Sequence, residues 1–190
     1  MAIFVPKVVD TSHYEVIEDG GWESAKEAGI IGMITKVTQG THYTDPKHEE
    51  FISDAAEAGL QVGAYHFNSA EDPIEQADWF IKNCADDKVD NFLYCLDYEA
   101  NSKSDMTIKQ AVEFLHRMED QTGVKAVIYS GNKLKETIED LNKTDFSYVC
   151  SHKLWLAQYG PKVKLPKGFD KWWLHQYTGD GMGPEPHWID

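Results

Sequence analysis

The chain has 190 residues, of which 42% are hydrophobic, and a formal net charge of −14 from 18 basic and 32 acidic side chains. That length suits one domain with a substantial core, and that apolar content excludes a disordered chain. The acidity argues against a nucleic-acid partner, no apolar run approaches the ~20 residues of a membrane span, and the three cysteines, Cys84, Cys95 and Cys150, are spaced for neither a disulfide framework nor a zinc site.

Strand-like and helix-like segments alternate along the chain. Ile3 to Val9 is a β-branched run ending at Asp10. Trp22 to Ala28 reads as a helix stopped by Gly29, Ile30 to Val37 as a strand, and Pro46 to Ala58 as a helix with Pro in its first turn and Gly59 at its end. Leu60 to Phe67 is the next strand and Pro73 to Asn83 the next helix. The steps Ala28-Gly29-Ile30, Ala58-Gly59-Leu60 and Thr122-Gly123-Val124 repeat one helix–Gly–strand junction. Phe92 to Tyr98 is a strand, Thr107 to Gln121 an amphipathic helix with Ile108, Val112, Leu115 and Met118 on one side, and Ala126 to Tyr129 a strand followed by a helical pattern from Lys133 to Leu141. Helical signal is thin beyond Leu141. Leu154 to Gln158 and Trp172 to Gln176 are late aromatic strands, separated by a Pro/Gly/Lys loop from Gly160 to Lys171.

This alternation predicts an α/β fold with a parallel sheet, and the number of units favours closure into a barrel. Catalytic groups of such barrels sit at strand C-termini. Polar and aromatic residues collect there: Asp10, Thr38-Gln39, His66, Asp97 with Glu99, Tyr129-Ser130, Gln158-Tyr159 and Gln176-Tyr177. No Gly-x-Gly-x-x-Gly follows a strand, which argues against dinucleotide binding. His66 has no second His, Cys or acid at ligand spacing, so it reads as a packed residue, and neither a metal nor a cofactor is expected.

The chemistry concentrates at Asp97 and Glu99. Alternate strand residues share a face, so the two carboxylates point the same way, with Leu93 and Cys95 behind them and Cα atoms about 6.6 Å apart. Acids that close titrate as a pair, one able to hold a proton while the other stays charged, as glycosidic-bond cleavage requires. A retaining pair with a covalent intermediate needs carboxyl groups about 5–5.5 Å apart, an inverting pair ~6.5–9.5 Å, and a third route has the substrate's own acetamido group attack while an Asp orients it. The spacing leaves all three open.

Several segments, in order over nearly the whole chain, resemble the glycoside hydrolase family 25 muramidases, the Chalaropsis-type lysozymes. They are Val9-Asp10-Thr11-Ser12-His13-Tyr14, Ile34-Thr35-Lys36-Val37-Thr38-Gln39-Gly40 with Tyr43-Thr44-Asp45-Pro46, Gly63-Ala64-Tyr65-His66-Phe67, Leu96-Asp97-Tyr98-Glu99, Ile128-Tyr129-Ser130, Leu154-Trp155-Leu156-Ala157-Gln158-Tyr159 and Trp173-Leu174-His175-Gln176-Tyr177. Gln39 stands where the family usually has Glu. The resemblance implies an irregular, flattened, TIM-like (β/α) barrel with fewer helices than strands. It also implies cleavage of the β-1,4 bond between N-acetylmuramic acid and N-acetylglucosamine in peptidoglycan, with retention through acetamido assistance.

On this reading Glu99 is the general acid, Asp97 assists, and Asp10 completes the acidic cluster. Tyr65, Tyr129, Trp155, Gln158 and Gln176 are the expected substrate contacts, and Trp172, Trp173, Tyr159 and Tyr177 suit a sugar groove because flat rings bury pyranose faces. The competing readings are a non-catalytic glycan-binding barrel, which the presence of both acids disfavours, and a chitinase-like hydrolase, whose longer acidic run Phe92-Leu93-Tyr94-Cys95 lacks. The family's further Asp after the last strand has no counterpart in context, since Asp180 and Asp190 lie in other settings. The expectations are therefore a single catalytic domain over residues 1–190 truncated at its C-terminal end, and a tail that supplies no catalytic carboxylate. The N-terminus lacks a basic stretch followed by a long apolar one, so the expected protein is a monomer without signal peptide, made in the cytoplasm and acting on the cell wall, as a phage or bacterial endolysin does.

Overall fold

The structure, a computed structural model, describes residues 6–84, 92–101, 105–159 and 162–179. The elements are β1 (Lys7–Thr11), α1 (Gly21–Glu27), β2 (Ile30–Gln39), β3 (Tyr43–Thr44), α2 (His48–Glu57), β4 (Gln61–Phe67), α3 (Pro73–Cys84), β5 (Leu93–Asp97), α4 (Ile108–Thr122), β6 (Val127–Ser130), α5 (Asn132–Thr137), a 3₁₀ turn (Ile138–Asp140), α6 (Lys143–Val149), β7 (Leu154–Ala157) and β8 (Leu174–Gln176). Seven strands form one parallel sheet in the order β1-β2-β4-β5-β6-β7-β8, and the two-residue β3 pairs antiparallel with the end of β2. The sheet curls into a half-barrel, and six α-helices stand against eight strands among the described residues, the excess of strands that the family resemblance implies.

The repeated helix–Gly–strand step has a backbone reason. Gly29, Gly59 and Gly123 all take positive φ, 93°, 79° and 71°, the left-handed conformation that ends a helix and turns the chain into the next strand. α4 starts on a full capping box, with Thr107 accepting from the Gln110 N–H and the Gln110 side chain reaching back.

Two departures from expectation follow from local chemistry. The helix expected from Pro46 starts two residues later, at His48: in the turn before it the Asp45 carboxylate accepts from the Lys47 N–H at 3.0 Å. α6 falls where the helical signal is thin. Its seven residues bury only Val149 fully, so periodicity is weak, but Asn142 caps it by accepting from the Thr144 and Asp145 N–H groups. The tail after Gly179 and the first part of the expected N-terminal strand lie outside the described residues.

Period-2 alternation divides every strand between two layers. The outer face (Met33, Ala64, Leu96, Ile128, Leu154, Leu156) packs under the helices against Phe51, Phe80, Phe114 and Leu115. The inner face holds a second, smaller cluster of Ile34, Cys95, Val127, Tyr129 and Trp155, with Val8, Tyr65, Leu93, Ala157 and Leu174 against it. Going up four of the strands, this inner face changes from apolar to polar: Val8 to Asp10, Ile34 to Lys36, Cys95 to Asp97, Leu174 to Gln176. Cys95 is thus a core filler, and none of the three cysteines is in a disulfide.

The sheet path ends at β1 on one side and β8 on the other. Gln176 spans that seam. Its Nε2 donates to both carboxylate oxygens of Asp10, at 3.1 and 3.2 Å, and its Oε1 accepts from the Tyr129 hydroxyl at 2.7 Å and the Tyr159 hydroxyl at 3.2 Å. A hydrogen bond to a charged group is worth about 1.5–3 kcal/mol. Gln176→Ala is expected to cost about 1–3 kcal/mol in urea denaturation and to raise hydrogen exchange of the β8 amides while those of β5 stay protected. Unchanged exchange in β8 would mean that the seam is held by something else.

Candidate active site

A cleft of about 400 Å³ opens where the inner face turns polar, at the strand C-termini. Asp10, Ser12 and Tyr14 line it from β1 and the residues after it, Lys36 and Gln39 from β2, Tyr65 and Phe67 from β4, Asp97 and Glu99 from β5 and its extension, and Tyr129 and Trp155 from β6 and β7. Six of the eight residues expected at the site therefore meet in this cleft, and a seventh, Gln176, holds Asp10 from behind.

The eighth, Gln158, is engaged elsewhere. Its Oε1 accepts from Lys135 Nζ at 2.5 Å and the Lys164 N–H at 3.1 Å, and its Nε2 donates to the Lys162 carbonyl, so the side chain braces the loop after β7. Trp172 and Trp173 precede β8, at the opposite end of the sheet from the acids, and do not belong to the groove. Tyr129 and Trp155 are buried and meet edge to face at 4.7 Å, so they serve the inner core as well as the cleft floor.

Asp97 is only 6% exposed, and its Oδ1 has no hydrogen-bond partner among the described residues. Burial drives its pKa well above the usual carboxylate value, and the negative charges of Glu99 and Asp10 push the same way, against Lys36 and Lys133. Glu99 is half-buried, and its carboxyl is also raised, by burial against the pull of Lys133. Both carboxyls are therefore shifted in the direction that favours the protonated form. Tyr65 and Tyr129 are likewise pushed up by burial and the neighbouring carboxylates, so both hydroxyls stay protonated and able to donate.

Sequence reasoning passed over Lys36. It is a buried cation in the middle of an apolar strand, donating to Gln39 Oε1 at 2.8 Å and lying 4.9 Å from the centre of the Phe67 ring. Desolvation lowers its pKa, against the opposing pull of the Asp45 and Asp97 carboxylates. A lysine inside a buried strand is itself the signal, because lysine is almost never buried without a partner. The cleft rim was also missed: Tyr14 is 80% exposed, and its ring lies 4.0 Å from that of His13, whose Nδ1 and backbone N–H are held by the buried Asp45 carboxylate at 2.7 and 3.1 Å.

His66 is a packed residue, as expected. It is fully buried, stacked on Phe114, bonded to Thr38 and Gln76, and held neutral by burial with its pKa lowered to about 4. Among the described residues, no group of three or more His, Cys, Asp or Glu is placed to hold a metal ion.

The model of glycosyl hydrolases family 25 matches residues 9–185. The chain belongs to that family. The family 25 chain is 29% identical to Lysozyme M1 of Streptomyces globisporus over 91% of its own length, and spans 62% of that relative's. Its fold is similar to the bacterial lysozyme from Streptomyces coelicolor (26% identity, TM-score 0.76, 90% of this chain and 82% of that one). It is also similar to a muramidase from Trichobolus zukalii (30% identity, TM-score 0.75, 89% and 85%).

The raised pKa of Asp97 is a statement about stability. The folded chain holds a proton that the unfolded chain has already lost, so ionising Asp97 opposes folding as pH rises through its folded pKa. Below the unfolded pKa both states are protonated and the penalty vanishes. Asp97→Asn is therefore expected to melt higher than the parent at pH 8, with the gain shrinking to nothing toward pH 3. A variant less stable than the parent at pH 8 would show that the charge of Asp97 supports the fold.

Proposed function

We propose that the chain is the catalytic domain of a muramidase, hydrolysing the β-1,4 bond between N-acetylmuramic acid and N-acetylglucosamine in peptidoglycan. Membership of family 25 sets the class of reaction. The observation that carries the reading is the pair Asp97 and Glu99 on one face of the cleft, both raised in pKa, with Asp97 Oδ1 buried and unpartnered among the described residues.

In this reading Glu99, the more accessible of the two, is the general acid that protonates the glycosidic oxygen as the bond to C1 breaks. The open Oδ1 of Asp97 supports the acetamido-assisted route. A substrate amide N–H donated to it would satisfy the orphaned oxygen and turn the acetamido carbonyl toward C1, where its oxygen closes a cyclic oxazolinium. Water then attacks C1, Glu99 takes its proton, and the acetamido group is restored, so configuration at C1 is retained. Asp10 adds negative charge to the cleft, which favours an oxocarbenium-like transition state. Tyr65 and Tyr129 supply hydroxyl donors, and Trp155 and Tyr14 supply faces for sugar rings.

Glu99→Gln keeps the shape but has no proton to give. Lysis of purified cell walls is expected to fall by at least about 100-fold, the low end for general acid catalysis, with circular dichroism unchanged. Near-parental lysis by a folded Glu99→Gln variant would remove Glu99 from the role.

A further inference from the structure

β5 ends at Asp97, yet the site needs Glu99, two residues on, to keep facing the way Asp97 faces. Strand pairing with β4 stops at Phe67 opposite Asp97, and the backbone bonds that follow, from the Asn68 N–H to the Asp97 carbonyl at 3.3 Å and from the Tyr98 N–H to the Tyr129 carbonyl at 2.8 Å, stop short of Glu99. Two buried side chains continue the strand. Asn68, the residue after β4, donates through Nδ2 to the carbonyls of both Asp97, at 2.9 Å, and Glu99, at 2.8 Å. From the other side, Ser130 at the end of β6 donates its hydroxyl to the carbonyl of Tyr98, at 2.7 Å.

The three carbonyls thus point alternately left, right and left, the pattern of a strand, and alternation of carbonyls enforces alternation of side chains. Both clamping groups are themselves fixed. Asn68 is fully buried, and its Oδ1 accepts from the Met106 N–H at 3.1 Å and Lys133 Nζ at 3.3 Å, so its amide uses two donors and two lone pairs and has one orientation only. The Ser130 hydroxyl accepts from the Leu134 N–H at 3.2 Å, tying it to α5. Lys133, also on α5, bonds the Glu99 carbonyl at 3.0 Å. Neither Asn68 nor Ser130 lines the cleft.

We infer that Asn68 and Ser130 are positioning residues: by hydrogen-bonding alternate carbonyls of Asp97, Tyr98 and Glu99 they extend β5 beyond its ladder and set the separation of the two carboxyl groups. The inference rests on the proposed reaction for its consequence in turnover, but not for its geometry.

The test uses the whole chain with Asn68→Ala, Ser130→Ala and, as a control for mere loss of stability, Asn142→Ala, whose side chain caps α6 through Thr144 and Asp145. Two quantities are read: kcat and KM on soluble peptidoglycan glycan, and the titration of the Asp97 and Glu99 carboxyl carbons by ¹³C NMR. The other titratable and charged groups facing the pair, Asp10 from β1, Lys36 from β2, Tyr65 from β4, Tyr129 from β6 and Lys133 from α5, are kept in all three variants.

In the parent the pair should titrate in two separated steps. In Asn68→Ala and Ser130→Ala the steps should draw together as Glu99 leaves its place, and kcat should fall about 100-fold, as misplacement of a reacting group by about 1 Å does, with KM within threefold. Asn142→Ala should lower the melting temperature and leave steps and kcat alone. Two separated steps in both positioning variants, matching the parent, overturn the inference whatever happens to kcat. The titration needs no turnover, so a parent that cleaves no glycan counts against the proposed function while the positioning is still decided. If Asn68→Ala does not fold, Ser130→Ala alone decides.

Discussion

Two carboxyl groups taken out of water on one face of one strand are the feature around which the rest of this domain is arranged. Period-2 alternation delivers side chains to the inner face of the curled sheet from one strand after another. Filling the lower part with Ile34, Cys95, Val127 and Trp155 makes the floor dry. Asp97 stands directly on that floor, and burial is the first cause of its raised pKa. A solvated strand end would leave the same two residues as ordinary, independent acids.

Holding such a pair is costly, and the neighbouring groups show how the cost is moderated. In a chain of net charge −14, the cations that act on the pair are two lysines that approach from different sides. Lys36 comes from β2 through the inner face, and Lys133 comes from α5 against the Glu99 backbone and the Tyr98 ring. Both pull the Asp97 carboxyl down against burial and the charges of Glu99 and Asp10, and Lys133 pulls Glu99 down against burial. The net direction is upward for both carboxyls, with burial the first cause in each. Gln176 acts at the far edge, fixing Asp10 across the seam where the sheet path ends.

What the sequence made legible is what depends on periodicity. The strands, the long helices and the shared face of Asp97 and Glu99 follow from spacings of two and of 3.6, and the rule that such barrels work at their strand ends brings Asp10 and Tyr129 to one place with them. What it hid depends on contacts remote in sequence. Asn68 looks like a turn residue, and its work is done 29 and 31 residues away. Gln158 sits at a strand end like the others, but Lys135 on α5 and the loop backbone at Lys162 and Lys164 claim its amide. Trp172 and Trp173 have the right rings at the wrong end of their strand, because β8 is only three residues long and begins after them. α6 is too short for its pattern to show, although Asn142 with Asp145 three residues on was there to be read.

The central claim is that this cleft cleaves the bond on the muramic acid side of the glycan strand by proton donation from Glu99. The most direct measurement is the identity of the new reducing ends after exhaustive digestion of purified peptidoglycan, reduced with borohydride and hydrolysed to amino sugars. The account predicts muramitol as the new alcohol, absent from a digest with the Glu99→Gln variant. Glucosaminitol in its place, or wall fragments released with no new reducing end at all, would contradict it.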